Sequence, residues 1–157
     1  MPARAILVGI ISDTHGLLRP EAVAALRGTD VIVHAGDVGN ADIIEQLRRI
    51  APLFVVRGNI DQGNWAARLP IREVVSIGEL KFLLLHQVAE LALDPQAEGY
   101  AAVVYGHSHV PSMETRDNVL FLNPGSAGPR RFQLPVTIAR ARVRGRRIDA
   151  EIVHLPV

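Results

Sequence analysis

Seven side chains able to hold a cation fall in short, separated motifs of this sequence: Asp13 and His15, Asp37, Asn59, His86, and the pair His107 and His109. Carboxylate, imidazole and one carboxamide, without sulfur, suit Mn²⁺, Fe, Zn²⁺, Co²⁺ or Ni²⁺ and do not choose among them. Seven donors are too many for one tetrahedral ion. Two ions about 3.5–4 Å apart would use them fully if one carboxylate bridges. Asp37 is the natural bridge, because each of its two oxygens can face one ion. His107 and His109 are separated only by Ser108. In an extended stretch both imidazoles leave on the same side about 6.6 Å apart, so each can reach a different ion. Asp13 and His15 would use the same alternation.

Each residue also has an ordinary reading. Asp13 can start a turn, Asp37 in Gly-Asp-Val-Gly can make an Asx turn, Asn59 can cap a loop, and His86 can be a hydrogen-bonded interior histidine. Their shared position in the chain outweighs these readings, because every motif directly follows an apolar run that reads as a buried strand. The first run is Ala5–Ser12, the second Val31–Ala35, the third Leu53–Val56, then Leu80–Leu85 and Ala101–Tyr105. Ligands of open α/β sheets bind at the carboxyl ends of the strands, where parallel strands bring distant residues to one edge.

The segments between the runs supply the connections. Pro20–Leu26 reads as a short helix, with Pro20 in its first turn, Glu21 at the positive end of its dipole and Gly28 past its end. A second helix starts at Asn40 or Asp42, buries Ile43, Ile44, Leu47 and Ile50, and closes at Pro52. This β-α-β-α-β order predicts a parallel sheet covered by helices on one face. After Pro70 the pattern changes to hairpins: Glu73–Ile77 with Leu80–Leu85, Met113–Thr115 with Val119–Leu122, and Val136–Val143 with Arg147–Leu155. A short helix is expected within Val88–Glu98. The later half reads mostly as antiparallel ribbon.

Composition narrows the classes. The chain has 157 residues, 48% of them hydrophobic, enough for one domain with a sizeable core. Without cysteine it has neither disulfides nor thiolate ligands. No apolar run approaches the roughly 18 residues of a membrane span. The opening MPARAILVGIIS reads as the lead into the first strand and not as a signal peptide, and a cytoplasmic protein is expected. A net charge of +1 excludes a strong whole-molecule field, although seven arginines crowd the last thirty residues.

The motifs Asp13-x-His15, Gly36-Asp37, Gly58-Asn59, His86 and Gly106-His107-x-His109 together resemble the signature of the calcineurin-like metallophosphoesterases. Asn123-Pro124-Gly125-Ser126 matches the small single-domain phosphodiesterase branch. The resemblance implies an α/β fold, α+β by some schemes: a four-layer αββα sandwich of two mixed sheets flanked by helices, with residues 1–157 as one domain. It implies one metal on Asp13, His15, Asp37 and His109, and another on Asp37, Asn59, His86 and His107, with Mn²⁺ the leading choice. A metal-bridging hydroxide would attack phosphorus in line, which gives Asp37, Asn59 and His107 catalytic roles. Two departures stand out. His86 is followed by Gln87 where many relatives have glycine, and Ile60 stands where larger family phosphatases carry the histidine that protonates the leaving group. Asp61 is expected to orient a ligand histidine.

Three arginines are candidates for substrate phosphate. Arg57 before Gly58-Asn59 either reaches the substrate or forms an ion pair, and Arg130 and Arg131 follow the Asn123–Ser126 loop. Arg140, Arg142 and Arg144 read as a solvated strand edge, His34 as a hydrogen-bonded interior residue and His154 as surface. Trp65 is expected to pack under the loop after Asn59. The expected activity is hydrolysis of small phosphodiesters. The alternatives are a metal-binding interaction scaffold, like the retromer subunit of this fold, and a nuclease. A scaffold of that kind loses ligands, and all seven are present here. A nuclease ranks last because no extra domain holds a polymer.

Overall fold

Branched aliphatic runs place the polar motifs at strand ends, and the chain folds accordingly. The computed structural model describes residues 4–157. Met1–Ala3, the head of the segment read as lacking a leader, lie outside the described residues. Strands β1 (Ile6–Ile11), β2 (Val31–His34) and β3 (Leu53–Val55) pair in parallel. They are connected by helices α1 (Pro20–Leu26) and α2 (Ala41–Arg48). Of the two expected starts of α2, Asn40 is the cap: its side chain accepts from the Ile43 amide at 3.3 Å. Ala22 and Leu26 of α1 pack with Ile43, Ile44 and Leu47 of α2 on one face of this sheet. A four-residue helix, α3 (Asn64–Ala67), carries Trp65 against the same cluster.

The second sheet contains β4 (Arg72–Ile77), β5 (Leu80–Leu85), β6 (Ala102–Val104), β7 (Ser112–Arg116) and β8 (Val119–Asn123). Its order is β4-β5-β6-β8-β7. β9 (Thr137–Arg144) and β10 (Arg147–His154) return to the first sheet, whose order becomes β10-β9-β1-β2-β3. Between the sheets lies the main core, including Val8, Ile10, Val33, Phe82, Leu84, Val104, Leu122 and Ala141. Fully burying one large apolar side chain contributes about 1.5–3 kcal/mol, so this layer dominates the adhesion of the sheets. No described helix is long and apolar enough to cross a membrane.

The later half is mostly antiparallel, as expected, in the pairs β4–β5, β7–β8 and β9–β10. What was not expected is that β5, β6 and β8 run parallel to one another within it. Hairpin signals between neighbours in sequence concealed this, since the β7–β8 turn is itself inserted between parallel β6 and β8. The segment Val88–Glu98 yields only a 3₁₀ turn, Val88–Glu90. Asp94 ties its carboxylate to the Gln96 amide at 3.1 Å, and Pro95 follows it, so the later turn does not propagate. Leu83, Leu85, Val103 and Phe121 are covered there by Val88, Leu91, Leu93, Tyr100 and Tyr105. Finally, Arg140, Arg142 and Arg144 lie on β9, an interior strand. The edge is β10, which sets Glu151 opposite Arg140 and Asp149 opposite Arg142.

Candidate metal centre

Parallel pairing sends the carboxyl ends of β1, β2, β3, β5 and β6 toward one edge, and the seven donor residues follow those ends. Extended backbone does not aim them. Asp13, His15, Asp37, His107 and His109 have φ of 55°, 45°, 57°, 74° and 65°. The alternation expected of Asp13/His15 and His107/His109 is therefore replaced by left-handed turns. Such a residue costs about 1–3 kcal/mol and persists only where its surroundings over-determine it. Two glycines permit the crowding. A Cβ on Gly58 would collide with the Asp37 amide and Oδ1, and one on Gly106 would collide with Ser12 Oγ and lie 2.5 Å from Asp13 Oδ2.

Asp13, His15 and His109 form one cluster of potential ligands, and Asp37, His86 and His107 form another. In the first, Asp13 divides its oxygens. Oδ2 accepts from Ser12 Oγ at 2.7 Å and from the His107 amide at 3.1 Å. Oδ1 accepts no hydrogen bond, although it is buried, and faces His109 Nε2 at 3.4 Å and His15 Nε2 at 3.6 Å. His15 Nε2 is likewise buried without a partner. Buried lone pairs converging without donors are what a cation would satisfy. Burial pushes the Asp13 carboxyl up, but the nearby imidazoles of His109 and His15, the Ser12 hydroxyl bond and the charge of His86 together hold it well below the usual carboxylate range.

Asp37 stands between the clusters. Its Oδ2 lies 3.1 Å from His86 Nε2 and 3.4 Å from His15 Nε2, while Oδ1 accepts from the Ile60 amide at 3.1 Å. One oxygen therefore faces both clusters, unlike the expected division of two oxygens between two ions. Burial opposes ionisation of Asp37, but His86 and the Ile60 amide outweigh it, and its pKa is lowered. His86 Nδ1 is 2.7 Å from the Ala35 carbonyl, which can only accept. A ring proton is thus on Nδ1, and Nε2 faces Asp37. Burial opposes protonation of this ring, but the hydrogen bond to Asp37 and the charges of Asp13 and Asp37 outweigh it and raise the His86 pKa. One terminal atom of the Asn59 carboxamide sits 3.0 Å from His86 Nε2, 3.3 Å from His107 Nδ1 and 3.2 Å from each Asp37 oxygen. As an amide NH₂ it satisfies these lone pairs. As an oxygen it would join them around a cation. The donors present fit two divalent ions.

The surrounding contacts also revise the sequence reading. Asp61 orients no histidine. Its carboxylate accepts from the amides of Gly58 at 2.8 Å, Gly39 at 3.0 Å and Val38 at 3.2 Å, locking the Asp37 and Asn59 loops together. Arg130 donates to the carbonyls of Leu134 and Val157, each at 3.4 Å, bracing the C-terminal segment. Arg131 is exposed, and Arg57 is half-buried beside Asn59 and His86. Ile60 is 40% exposed and presents no proton donor.

Sequence reading missed several positioning groups. Thr14, between two ligand positions, contacts His34. Ser126 Oγ donates to the Asp13 carbonyl at 2.9 Å, and Asn123 Nδ2 donates to the Gly106 carbonyl at 3.2 Å and to Ser108 Oγ at 3.0 Å. The available signal was the polar termination of otherwise apolar strands, at Ser12, Thr14 and Asn123.

Comparison with known proteins gives concordant matches. Residues 6–146 match the model of the calcineurin-like phosphoesterase superfamily domain. A probable metallophosphoesterase of Methanothermobacter thermautotrophicus is 32% identical over 95% of this chain and 92% of its own. A phosphodiesterase of Methanocaldococcus jannaschii is 28% identical over 75% of this chain and 82% of its own. The structure of Vacuolar Protein Sorting 29 from Cryptosporidium parvum superposes with a TM-score of 0.78 at 19% identity, covering 98% and 99% of the two chains, a likeness of fold.

Proposed function

The chain belongs to the calcineurin-like phosphoesterase superfamily, and on that premise we propose that it is a single-domain phosphodiesterase using two divalent ions, Mn²⁺ foremost, on small phosphodiesters. The observation that carries this reading is the position of Asp37 Oδ2, 3.1 Å from a histidine of one cluster and 3.4 Å from a histidine of the other. A relative named as a phosphodiesterase supports the choice of diesters. The complete donor set favours an enzyme over an interaction scaffold.

Bound at Asp13, His15, Asp37 and His109 and at Asp37, Asn59, His86 and His107, the ions would supply Lewis acidity and lower the pKa of water. The protein's own part is positioning. Asp13 and Asp37 are both held ionised, and the Ala35 carbonyl fixes the His86 ring so that Nε2 points inward, where it would give its lone pair to an ion. Asn59 adds a neutral polar group beside His86 and His107, suited to a phosphoryl oxygen. Arg57 can offset the diester's negative charge from the same side. Hydrolysis joins the water oxygen to phosphorus and breaks one P–O ester bond in line, releasing an alcohol and leaving a phosphomonoester. With Ile60 beside Asn59 the chain offers no imidazole to protonate that alcohol, so easily departing groups are favoured.

The direct test is hydrolysis of bis(p-nitrophenyl) phosphate and p-nitrophenyl phosphate by the Mn²⁺-loaded protein. The diester should be cleaved with the higher kcat/KM. Preference for the monoester, or no Mn²⁺-dependent cleavage of either, would overturn the reading.

A further inference from the structure

A cleft of about 170 Å³ opens beside the second cluster, lined by Arg57, Gly58, Asn59, Ile71, His86, Gln87 and Glu90. Asn59 and His86 also belong to the donor set, so a group seated in this cleft is joined directly to the phosphorus being attacked. Its size is informative. Sites for whole drug-sized ligands usually measure about 300–1,000 Å³, so this one takes a single small arm of a substrate.

Its charges are informative as well. Arg57 and Glu90 both line the cleft, yet neither side chain makes an ion pair or hydrogen bond among the described residues. Glu45, by contrast, is satisfied by Arg48 at 3.0 Å. Arg57 is half-buried and directly precedes Gly58 and the donor Asn59, while Glu90 is exposed. Ile71 is 57% exposed and gives an apolar wall, and Gln87 adds a carboxamide. The cleft therefore offers a positive charge, an apolar surface and a negative charge. Its complement is an anion, a short carbon stem and a cation.

We infer that the cleft selects phosphodiesters whose retained arm is a small amino alcohol, with the ammonium group facing Glu90 and the phosphate facing Arg57. This rests on the phosphodiesterase reading and names the substrate class for it. A neutral alkyl arm would leave Glu90 solvated and gain nothing from it. A second phosphate on the arm would meet its like charge. The effect is bounded by Glu90's exposure: pairs at exposed sites contribute up to about 1 kcal/mol, a factor of about five in kcat/KM, and salt screens them.

The experiment compares p-nitrophenyl phosphocholine with ethyl p-nitrophenyl phosphate, using the full chain loaded with Mn²⁺. In both, the P–O bond to nitrophenolate breaks, water supplies the new oxygen, and the test arm stays on phosphorus. The choline ester should show kcat/KM up to about fivefold higher at low salt. Glu90→Gln should bring the two esters to parity while changing the ethyl ester little. Equal values in the wild type, or an undiminished preference in Glu90→Gln, would overturn the inference. Calorimetric binding of phosphocholine and ethyl phosphate to the same proteins separates the two readings. If neither diester is cleaved but phosphocholine binds tighter in a Glu90-dependent way, the cleft assignment stands and the phosphodiesterase reading falls. If the diesters are cleaved and neither binding nor rate depends on Glu90, the cleft assignment alone falls.

Discussion

His34 Nε2 lies 3.0 Å from Thr14 Oγ1, and this contact between a buried β2 residue and the loop after β1 ties together two of the strand ends that carry the donor set. The proton positions follow from the partners. The Gly36 amide donates to His34 Nδ1 at 3.0 Å, so the ring hydrogen is on Nε2 and points to Thr14. Thr14 in turn donates to the Val38 carbonyl at 2.8 Å. Thr14 sits between Asp13 and His15, while Gly36 and Val38 flank Asp37. A residue that offers the ions no ligand thus fixes the spacing of those that do.

Burial holds His34 neutral, lowering its pKa from 6.5 to about 4, with the fields of Asp13 and Asp61 opposing and that of His86 adding. As pH falls below about 6.5 the unfolded chain takes up this proton, and the folded chain does not until about pH 4. The resulting stability is fully present above 6.5 and is lost through that window, by roughly 3 kcal/mol. His34→Gln removes the titration and can still donate toward Thr14. Denaturant unfolding of the metal-free variant from pH 7 to 4 should show a flatter decline than the wild type. Identical slopes would mean that His34 is not the group responsible.

Asp61 acts through three backbone amides, so Asp61→Ala leaves donors without an acceptor in both ligand loops. Changes of this kind outside the ligand set typically weaken metal binding about 10–100-fold. Asp37→Asn should cost more activity than any Asp61 substitution, because Asp37 faces both clusters. Titration of Mn²⁺ into each variant, paired with kcat/KM, checks the ranking, and equal losses would contradict it.

Legibility in the sequence followed locality. The strand ends carrying Asp13, Asp37, Asn59, His86 and His107 were readable because apolar runs of four to eight residues break at polar motifs, and parallel pairing then fixes the edge they share. α1 was readable to the residue from Pro20 and Gly28, each acting within its own turn. Other features depend on distant partners. Left-handed backbone at His107 and His109 goes with packing against Asp13 and Ser12, which no local pattern encodes. The three amides that meet Asp61 belong to residues 3 to 23 positions away. Parallel β5-β6-β8 pairing was hidden because hairpin signals report only neighbours in sequence.

Gly106→Ala tests the close approach behind Asp13. The added methyl would fall on Ser12 Oγ and beside Asp13 Oδ2, displacing the oxygen that the His107 amide holds. Overpacking of this kind costs about 1–3 kcal/mol. Mn²⁺ affinity should fall together with thermal stability. A variant with wild-type affinity would show that the Asp13 carboxylate tolerates displacement.

Ile60 bears on the leaving group. Aryl oxyanions depart without a proton, whereas alkoxides depend on general-acid help of about 10²–10⁴-fold. The wild type should therefore show steep dependence of kcat/KM on leaving-group pKa. Ile60→His, at a 40% exposed position, should speed alkyl esters more than nitrophenyl esters. A flat dependence in the wild type would show that another group already delivers the proton.

Two clusters joined at Asp37 should hold two ions. Metal content measured on folded protein equilibrated with saturating Mn²⁺, then freed of unbound metal, tests it most directly. Two ions per chain are expected in the wild type and fewer in Asp37→Ala, with both proteins folded by circular dichroism. One ion or none in the folded wild type would contradict it.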